Sequence, residues 1–366
     1  MVPEGSPCHA FRRKEMPDTE QLLLAMTNEA AVLVQGGRAI YANAAAREIL
    51  GEDCVGKRVT ALFGELVAGV QASSFLAQIR LRERPCLLRI SRLGQDQVFF
   101  LRPQEELPAV LNQPFLHTLR SALMNMELAE DRMRVLAEDQ GSAPLLECLR
   151  SLSRSQYQIL RLLENASVVL DLSSGGEAFP AQAFDLNALC ASCLEAAAPL
   201  LPQLRLVFRG EGPVPIRSDP RLIKILLMNL LSNAALHARG CTRVSVSLLE
   251  AGDSVVLGVD DDGCGIPAEE LPRVFDRYRH EFRLSQIGAG SGLGLTAVRL
   301  IAQQHGGAVL LESREGRGTT VRVSLGRKAS ETLRAPGEEQ LFRSKDLLTG
   351  LADCLSADCF REQFLD

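Results

Sequence analysis

The sequence has no tryptophan and only three tyrosines in its 366 residues. This shortage of large aromatic rings argues against a surface that stacks nucleic-acid bases. The charge is also nearly balanced, because the formal net charge is −5 at pH 7. No long-range field therefore favours nucleic acid or an anionic membrane, and we expect no nucleic-acid partner.

Long hydrophobic runs are also missing. A membrane-spanning helix needs roughly 18 uncharged apolar residues. The longest uncharged runs are shorter and contain Ser, Gln, Asn or Gly; they lie at 66–79, 225–238 and 284–298. The N-terminal residues lack the apolar core of a signal peptide. These absences predict a soluble, cytoplasmic protein without membrane insertion.

The ten cysteines are scattered and most lie in apolar segments. Only Cys190 and Cys193 form a C-x-x-C pair, which lies in a helical pattern without a second pair or a nearby histidine. This arrangement favours reduced structural thiols over a metal site, which is the alternative.

The pattern of apolar residues divides the chain into five parts. In order, we expect a disordered leader, a small α/β domain, a helical hairpin, a second α/β domain and a tail without an assigned role. These parts span residues 1–18, 19–105, 108–174, 180–327 and 328–366. In the tail, one short apolar helix is predicted around 346–362.

The predicted hairpin consists of two long helices, at about 109–139 and 143–172, on either side of a turn at Gly141. Both helices carry apolar residues at alternating steps of three and four, which indicates one apolar stripe on each helix. A single hairpin leaves too much of these stripes exposed. The sequence therefore predicts a homodimer in which two hairpins form a four-helix bundle.

Four signals follow one another in the second α/β domain. Asn229 and Asn233 lie four residues apart in the apolar helix ILLMNLLSNAALHA and so share a helix face. An apolar strand then leads into DDDGCGIP (260–267), the stretch GAGSGLGL (288–295) opens a helix, and GRGTT (316–320) begins the last strand. The second stretch fits neither the dinucleotide-binding nor the P-loop template, so alone it could be a structural loop.

Together these signals resemble the ATP-binding domain of sensor histidine kinases, a Bergerat-type α/β sandwich shared with gyrase, Hsp90 and MutL. The resemblance implies ATP and Mg²⁺ as cofactors. It implies that Asn233 coordinates Mg²⁺, Asn229 helps to hold the phosphates and Asp261 accepts a hydrogen bond from the adenine amino group. An amide oxygen gives Mg²⁺ a hard ligand without adding negative charge. Two buried amides bonded to the backbone are the alternative reading of the pair.

The remaining nucleotide-binding residues follow from the same resemblance. The glycines are expected to let the base and the phosphates approach the backbone, Phe275 marks the F box, and Thr319 lies near adenine. The full implied set is Asn229, Asn233, Asp261, Gly263, Gly265, Phe275, Gly290, Gly292, Leu293, Gly294 and Thr319. Leu236 and Ala238 depart from the family, which often has a basic residue and a hydroxyl residue there, and both departures would weaken phosphate binding.

The first long helix contains FLHTLRSAL (115–123), which is similar to the family's phosphoacceptor motif. The resemblance implies that His117 receives the γ-phosphoryl group of ATP and passes it to an Asp on a separate response-regulator receiver protein. Arg120 matches the motif, and the hydroxyl of Ser121 could position water for dephosphorylation. Thr118 replaces an acidic residue and is no base near pH 7, so slow autophosphorylation is expected.

Residues 19–105 resemble a PAS sensor domain, because a Gly-Gly hairpin with strands at 31–34 and 38–41 leads into Asn43 and a helix of small residues. The expected architecture is thus multidomain α+β: a PAS-like α/β domain, a dimeric four-helix bundle and an ATP-binding sandwich.

The expected function is that of a cytoplasmic two-component histidine kinase. Its main alternative is a degenerate kinase that binds ATP as a dimeric scaffold or phosphatase. An anti-sigma-type kinase and a sensory module with a vestigial ATP domain are further rivals.

Overall fold

The computed structural model describes residues 24, 27, 29–64, 67, 74–81, 84–93, 96–103, 113–173, 181–237, 240–267, 270–271, 293–327 and 342–360. Its N-terminal part is an antiparallel sheet with two short helices. The elements are β1 (Ala30–Gln35), β2 (Arg38–Ala42), α1 (Ala44–Leu50), α2 (Val59–Phe63), β3 (Ser74–Leu81), β4 (Arg84–Leu93) and β5 (Asp96–Pro103). The strands lie in the order β2-β1-β5-β4-β3. The predicted hairpin β1–β2 is present, and β4 and β5 form a second hairpin.

Asn43 joins the first hairpin to the helix that follows it. Its side-chain oxygen accepts hydrogen bonds from the backbone N–H of Ala46 and of Ala31, both at 3.0 Å. The first of these bonds caps α1 at its N-terminus, as an Asn side chain commonly does. The buried amide therefore fixes the direction in which the chain leaves the sheet.

Two long antiparallel helices follow, α3 (Gln113–Asp139) and α4 (Ala143–Ser173). Gly141 has φ +60° in the turn between them, where glycine avoids the cost of a left-handed backbone. Leu116 and Leu123 on α3 and Leu163 on α4 are buried within the chain. Within the described part of the chain, no helix combines the length and apolar character needed to cross a bilayer.

The second sheet carries helices on one face. Its elements are β6 (Gln182–Asp185), α5 (Leu186–Ala197), β7 (Arg205–Arg209), β8 (Pro215–Ser218), α6 (Pro220–His237), β9 (Arg243–Ala251), β10 (Ser254–Asp261), α7 (Leu293–Gln304), β11 (Val309–Arg314) and β12 (Gly318–Gly326). The order is β11-β12-β10-β9-β7, and only β7 and β9 are parallel. The sequence did not predict β6 and β8, which form a separate two-stranded sheet of four residues each.

The two larger sheets are joined into one. Strand β3 pairs antiparallel with β11 from Gln78↔Val309 to Phe75↔Glu312, which gives a continuous ten-stranded sheet. Leu310 of β11 is buried in the apolar cluster of the N-terminal sheet. Leu76 of β3 is buried in the cluster of the second sheet and its helices. Each part thus contributes a side chain to the core of the other.

The C-terminal segment, defined here as residues 342–360, folds back onto the helices. It contains α8 (Ser344–Leu351) and a 3-10 helix, Ala357–Cys359, and it packs against α4 and α6. The helix predicted at 346–362 is wrong in its bounds. The chain turns after Leu351, and this turn lets Leu355 and Phe360 reach buried positions.

Candidate functional site

Asp261 ends strand β10, where the pairing of Asp260 with Thr320 places β12 beside it. Its Oδ1 accepts hydrogen bonds from the backbone N–H of Gly263 at 3.0 Å and of Thr319 at 3.2 Å. Burial raises the pKa of the Asp261 carboxyl, and the two N–H bonds offset part of that rise. Oδ2 bonds to no residue that the structure describes, so this oxygen is available to accept a hydrogen bond from a ligand.

Two glycines next to Asp261 are required by the backbone itself. Gly265 has φ +67°, and a Cβ there would lie 2.2 Å from the carbonyl oxygen of Arg314. Gly318 has φ +94°, and its Cβ would lie 1.9 Å from the carbonyl oxygen of Asp261. Gly265 was expected to make room for a base. This reason is incomplete, because the end of β11 at Arg314 already leaves no space for a side chain there. Gly263, by contrast, contributes its N–H to the carboxylate.

Ser313 is a residue of this site that the sequence did not indicate. Its hydroxyl oxygen accepts a hydrogen bond from the backbone N–H of Ile266 at 2.8 Å and lies 2.9 Å from the Thr319 hydroxyl. The serine thus ties the Gly-rich turn to the start of β12. Thr319 contacts both Asp261 and Ser313, which places it in this half of the site.

Asn229 and Gly294 meet in the other half of the site. Asn229 lies on α6 with 2% of its surface exposed. Gly294 lies in the first turn of α7, where a Cβ would be 2.7 Å from Asn229 Oδ1. Leu293 is buried beside it. The predicted residues Phe275, Gly290 and Gly292 lie outside the described residues.

The amide of Asn229 is bonded to the helical hairpin. Its Nδ2 donates to Asn165 Oδ1 at 2.7 Å and to the carbonyl of Ile225 at 3.0 Å. Its Oδ1 accepts from Asn165 Nδ2 and from Arg161 Nη2, both at 3.2 Å. The alternative reading of Asn229, an amide bonded to the backbone, thus accounts for only the bond to Ile225 among these four. Asn165 and Arg161 lie 64 and 68 residues away in sequence, so no local pattern indicated them.

Asn233, one turn further along α6, is only half-buried. Its side chain makes no hydrogen bond with a described residue, so its oxygen is free to coordinate a cation. The two halves differ in their fit to a magnesium nucleotide. Asp261 and Asn233 offer open acceptor oxygens, whereas Asn229 in this conformation has no free N–H donor for a phosphate.

His117 is exposed on α3. The Thr118 hydroxyl donates to the carbonyl of Pro114 at 2.9 Å, and the Ser121 hydroxyl donates to the carbonyl of His117 at 3.0 Å. Both hydroxyl oxygens keep lone pairs that can accept a hydrogen bond from an imidazole or water. Arg120 is exposed one residue before Ser121.

Residues 218–329 match the family described as Histidine kinase-, DNA gyrase B-, and HSP90-like ATPase. Sensor histidine kinase GtrS of Pseudomonas aeruginosa is 37% identical over 150 residues, which cover 41% of this chain and 30% of GtrS. AfsQ2, a signal transduction histidine-protein kinase of Streptomyces coelicolor, is 30% identical over 242 residues, covering 63% of this chain and 44% of AfsQ2. Residues 218–329 are therefore an ATPase domain of this family, and the chain is similar to sensor histidine kinases over the parts that match.

Sensor histidine kinase ZraS of Escherichia coli matches a longer part of this chain. It is 28% identical over 299 residues, which cover 78% of this chain and 59% of ZraS. The chain thus spans between 30% and 59% of the length of these three relatives. The match to the family model identifies residues 218–329 as an ATP-binding domain of that family.

Proposed function

We propose that the protein is the sensor kinase of a two-component system, which phosphorylates itself on His117 with ATP and passes the phosphoryl group to a separate receiver protein. The half-buried Asp261 carboxylate carries the proposal, because one oxygen is held by two backbone N–H groups and the other is open to an adenine amino group. Asn233 would coordinate Mg²⁺, which neutralises phosphate charge when it is bound. The proposed location is the cytoplasm.

In the proposed reaction, an N–P bond to the His117 imidazole forms and the P–O bond to ADP breaks. The imidazole must also lose a proton, which the exposed ring would release to solvent water. Thr118 can orient the ring but cannot take up that proton near pH 7, and general-base help is typically worth about 10²–10⁴ in rate. In-line placement would supply most of the catalysis, as is usual for phosphoryl transfer.

Homodimerisation is supported by a partly exposed apolar stripe on α3. Residues at alternating steps of four and three share this face, and the larger side chains are partly exposed: Phe115 49%, Met126 45%, Met133 39% and Leu136 56%. The stripe is completed by Leu119, Ala122 and Ala129. A second hairpin packed on this stripe would complete a four-helix bundle.

A second exposed apolar row supports a protein partner near His117. Met124, Leu128 and Val135 are 54–61% exposed, and at 100° per residue they share a face with His117. This row lies on the opposite side of α3 from Met126 and Met133. We propose it as the docking surface for the receiver protein.

The remaining parts of the proposal concern domain organisation. Residues 19–105 would form a PAS-like sensor domain, 108–174 the phosphoacceptor hairpin and 180–327 the catalytic domain. The small-residue helix capped by Asn43 supports the first assignment. A long hairpin that presents an exposed histidine supports the second.

A degenerate kinase, acting as a scaffold or phosphatase, is the second candidate. The engagement of Asn229 by the hairpin and the absence of a base at Thr118 favour it. The Ser121 hydroxyl, one helical turn from His117, suits the positioning of water.

Incubation with [γ-³²P]ATP and Mg²⁺ tests the main proposal. We expect label that survives alkali, is lost in acid and disappears in His117→Gln. His9→Gln, outside the described residues, serves as the matched control and should keep the label. Binding of Mg·ATP without any label on the unaltered chain would instead support the scaffold or phosphatase reading.

A further inference from the structure

The C-terminal segment comes after the last strand of the ATP-binding sandwich and packs against helices α4 and α6. Its apolar residues are buried against α4 and α6; these are Leu347, Leu348, Leu351, Ala352, Leu355 and Phe360. A Cβ on Gly350 would lie 2.4 Å from Met228 Cγ, so α8 approaches α6 too closely for any larger residue. The Phe360 ring packs on Tyr157 with centroids 5.4 Å apart.

Polar contacts connect this segment to the nucleotide site. Arg161 of α4 is 8% exposed, and its Nη1 donates to Asp353 Oδ2 at 2.5 Å and to Ser232 Oγ at 2.7 Å. The same guanidinium reaches Asn229 Oδ1 through Nη2. Asp353 therefore holds the arginine in the position from which it binds the Asn229 amide.

Asn229 has no bonding capacity left in this arrangement. An asparagine side chain offers two N–H donors and one oxygen with two lone pairs. Asn165 and the Ile225 carbonyl take both donors, while Asn165 and Arg161 take both lone pairs. A phosphate or its magnesium ion can reach this amide only after α4 and α6 separate.

Separation of the helices is coupled to release of the C-terminal segment. A buried arginine without its carboxylate partner is strongly unfavourable, so Asp353 stabilises the closed arrangement. Lys224 of α6 also bonds to Asp346 of α8 at 3.0 Å, and Arg154 of α4 donates to the carbonyl of Asp353 at 3.4 Å. The segment bridges both helices and opposes their separation.

We propose that the C-terminal segment is an autoinhibitory strap. It holds the helical hairpin on Asn229 and keeps the phosphates of Mg·ATP from the half of the site that contains Asn229 and Gly294. This inference rests on the proposed ATP-dependent function. Because coupling between two sites is reciprocal, bound Mg·ATP must in turn loosen the strap. Activation would consist of its release.

Two substitutions in the full chain test the strap. Asp353→Ala removes the partner of Arg161, and Gly350→Leu forces α8 away from Met228. We expect both variants to bind Mg·ATP at least about tenfold more tightly than the unaltered chain, since binding no longer competes with closure. Ser356→Ala, an exposed position of the same segment, is the matched control and should leave affinity unchanged. Displacement of a fluorescent ATP analogue measures the affinities.

Hydrogen exchange of residues 344–355 in the unaltered chain gives a second readout that does not depend on the variants folding. Saturating Mg·ATP should accelerate exchange there. Slower or unchanged exchange with ATP bound, or equal or weaker affinity in folded Asp353→Ala and Gly350→Leu chains, would overturn the strap alone. Failure of every chain to bind Mg·ATP would overturn the ATP-dependent function together with it.

Discussion

Asp261 and Asp262 are neighbours in sequence, yet their carboxyl groups are perturbed in opposite directions. Burial raises the pKa of Asp261. Burial also acts on Asp262, but hydrogen bonds from the backbone N–H of Arg243 and from the hydroxyl and N–H of Thr242 outweigh it and hold the pKa of that carboxyl well below its usual range. Ionised Asp261 is held at an energetic cost, which suits its proposed role in binding adenine, whereas Asp262 anchors the ends of β9 and β10.

Replacement of each aspartate by asparagine should separate these roles. A raised folded pKa means that ionisation of Asp261 costs stability above that pKa. Asp261→Asn should therefore melt at an equal or higher temperature at pH 7. It should also bind Mg·ATP at least about tenfold more weakly, because a hydrogen bond to a charged group is worth about 1.5–3 kcal/mol.

Asp262→Asn is the matched control, with the opposite expectation. A depressed folded pKa gives stability that is present above the unfolded pKa and lost as pH falls through the folded pKa. This variant should melt at a lower temperature at pH 7, and the difference should shrink as the pH falls below about 4. Thermal unfolding at several pH values measures both effects, and a destabilised Asp261→Asn chain would contradict the assignment.

Thr118 should limit the rate of autophosphorylation. Thr118→Glu supplies a carboxylate beside His117 that can take up the imidazole proton, and we expect the initial rate of labelling to rise by about 10² or more. Thr118→Gln has the same length without a base and should show no such rise. Equal rates in the two variants would show that proton uptake does not limit the reaction.

Residue patterns identified one group of site residues and missed another for a physical reason. Asp261 and Thr319 were both assigned to the adenine side, and the structure has a hydrogen bond between them, although their contact with a ligand stays a prediction. Arg161 and Asn165 lie on a helix assigned only to packing. Their partners depend on how α4 docks on α6, which no local spacing encodes.

At the scale of elements, strong periodicity predicted the long helices well. Helices expected at 109–139 and 143–172 lie at Gln113–Asp139 and Ala143–Ser173, because apolar stripes extend over their whole length. Strands β6 and β8 were missed, since four residues are too few for an alternating pattern to stand out.

The stripe on α3 predicts the oligomeric state. A double substitution, Met126→Lys with Met133→Lys, places charge in the proposed dimer interface and should yield a monomer by light scattering. Met124→Lys changes an exposed methionine on the opposite side of the same helix and should leave the dimer intact. If the double variant stays dimeric, the association must use another surface.

At the scale of the whole molecule, the β3–β11 pairing makes the N-terminal sheet and the ATP-binding sandwich one structural unit. Leu310 lies in the N-terminal cluster although its strand belongs to the sandwich. Leu310→Ala should therefore destabilise the chain by about 2–5 kcal/mol, as expected for truncation of a buried leucine. Leu249→Ala, at a position 63% exposed, should change stability by no more than about 0.5 kcal/mol.

Calorimetry shows whether Leu310→Ala destabilises both sheets or only the N-terminal sheet. A shared core should shift the unfolding of both sheets together in Leu310→Ala. A shift of the N-terminal transition alone would indicate that the joint contributes little. The sequence did not predict the joint, because pairing of strands more than 200 residues apart depends on tertiary packing and leaves no local pattern.

The joint also affects any attempt to divide the protein. A catalytic piece beginning near residue 181 would lose β3 and leave the backbone N–H and C=O groups of Val309–Glu312 facing water beside the uncovered Leu310. Unpaired sheet margins of this kind recruit strands from other molecules. Self-association of such a truncated chain would then result from the truncation and would not be a property of the intact protein.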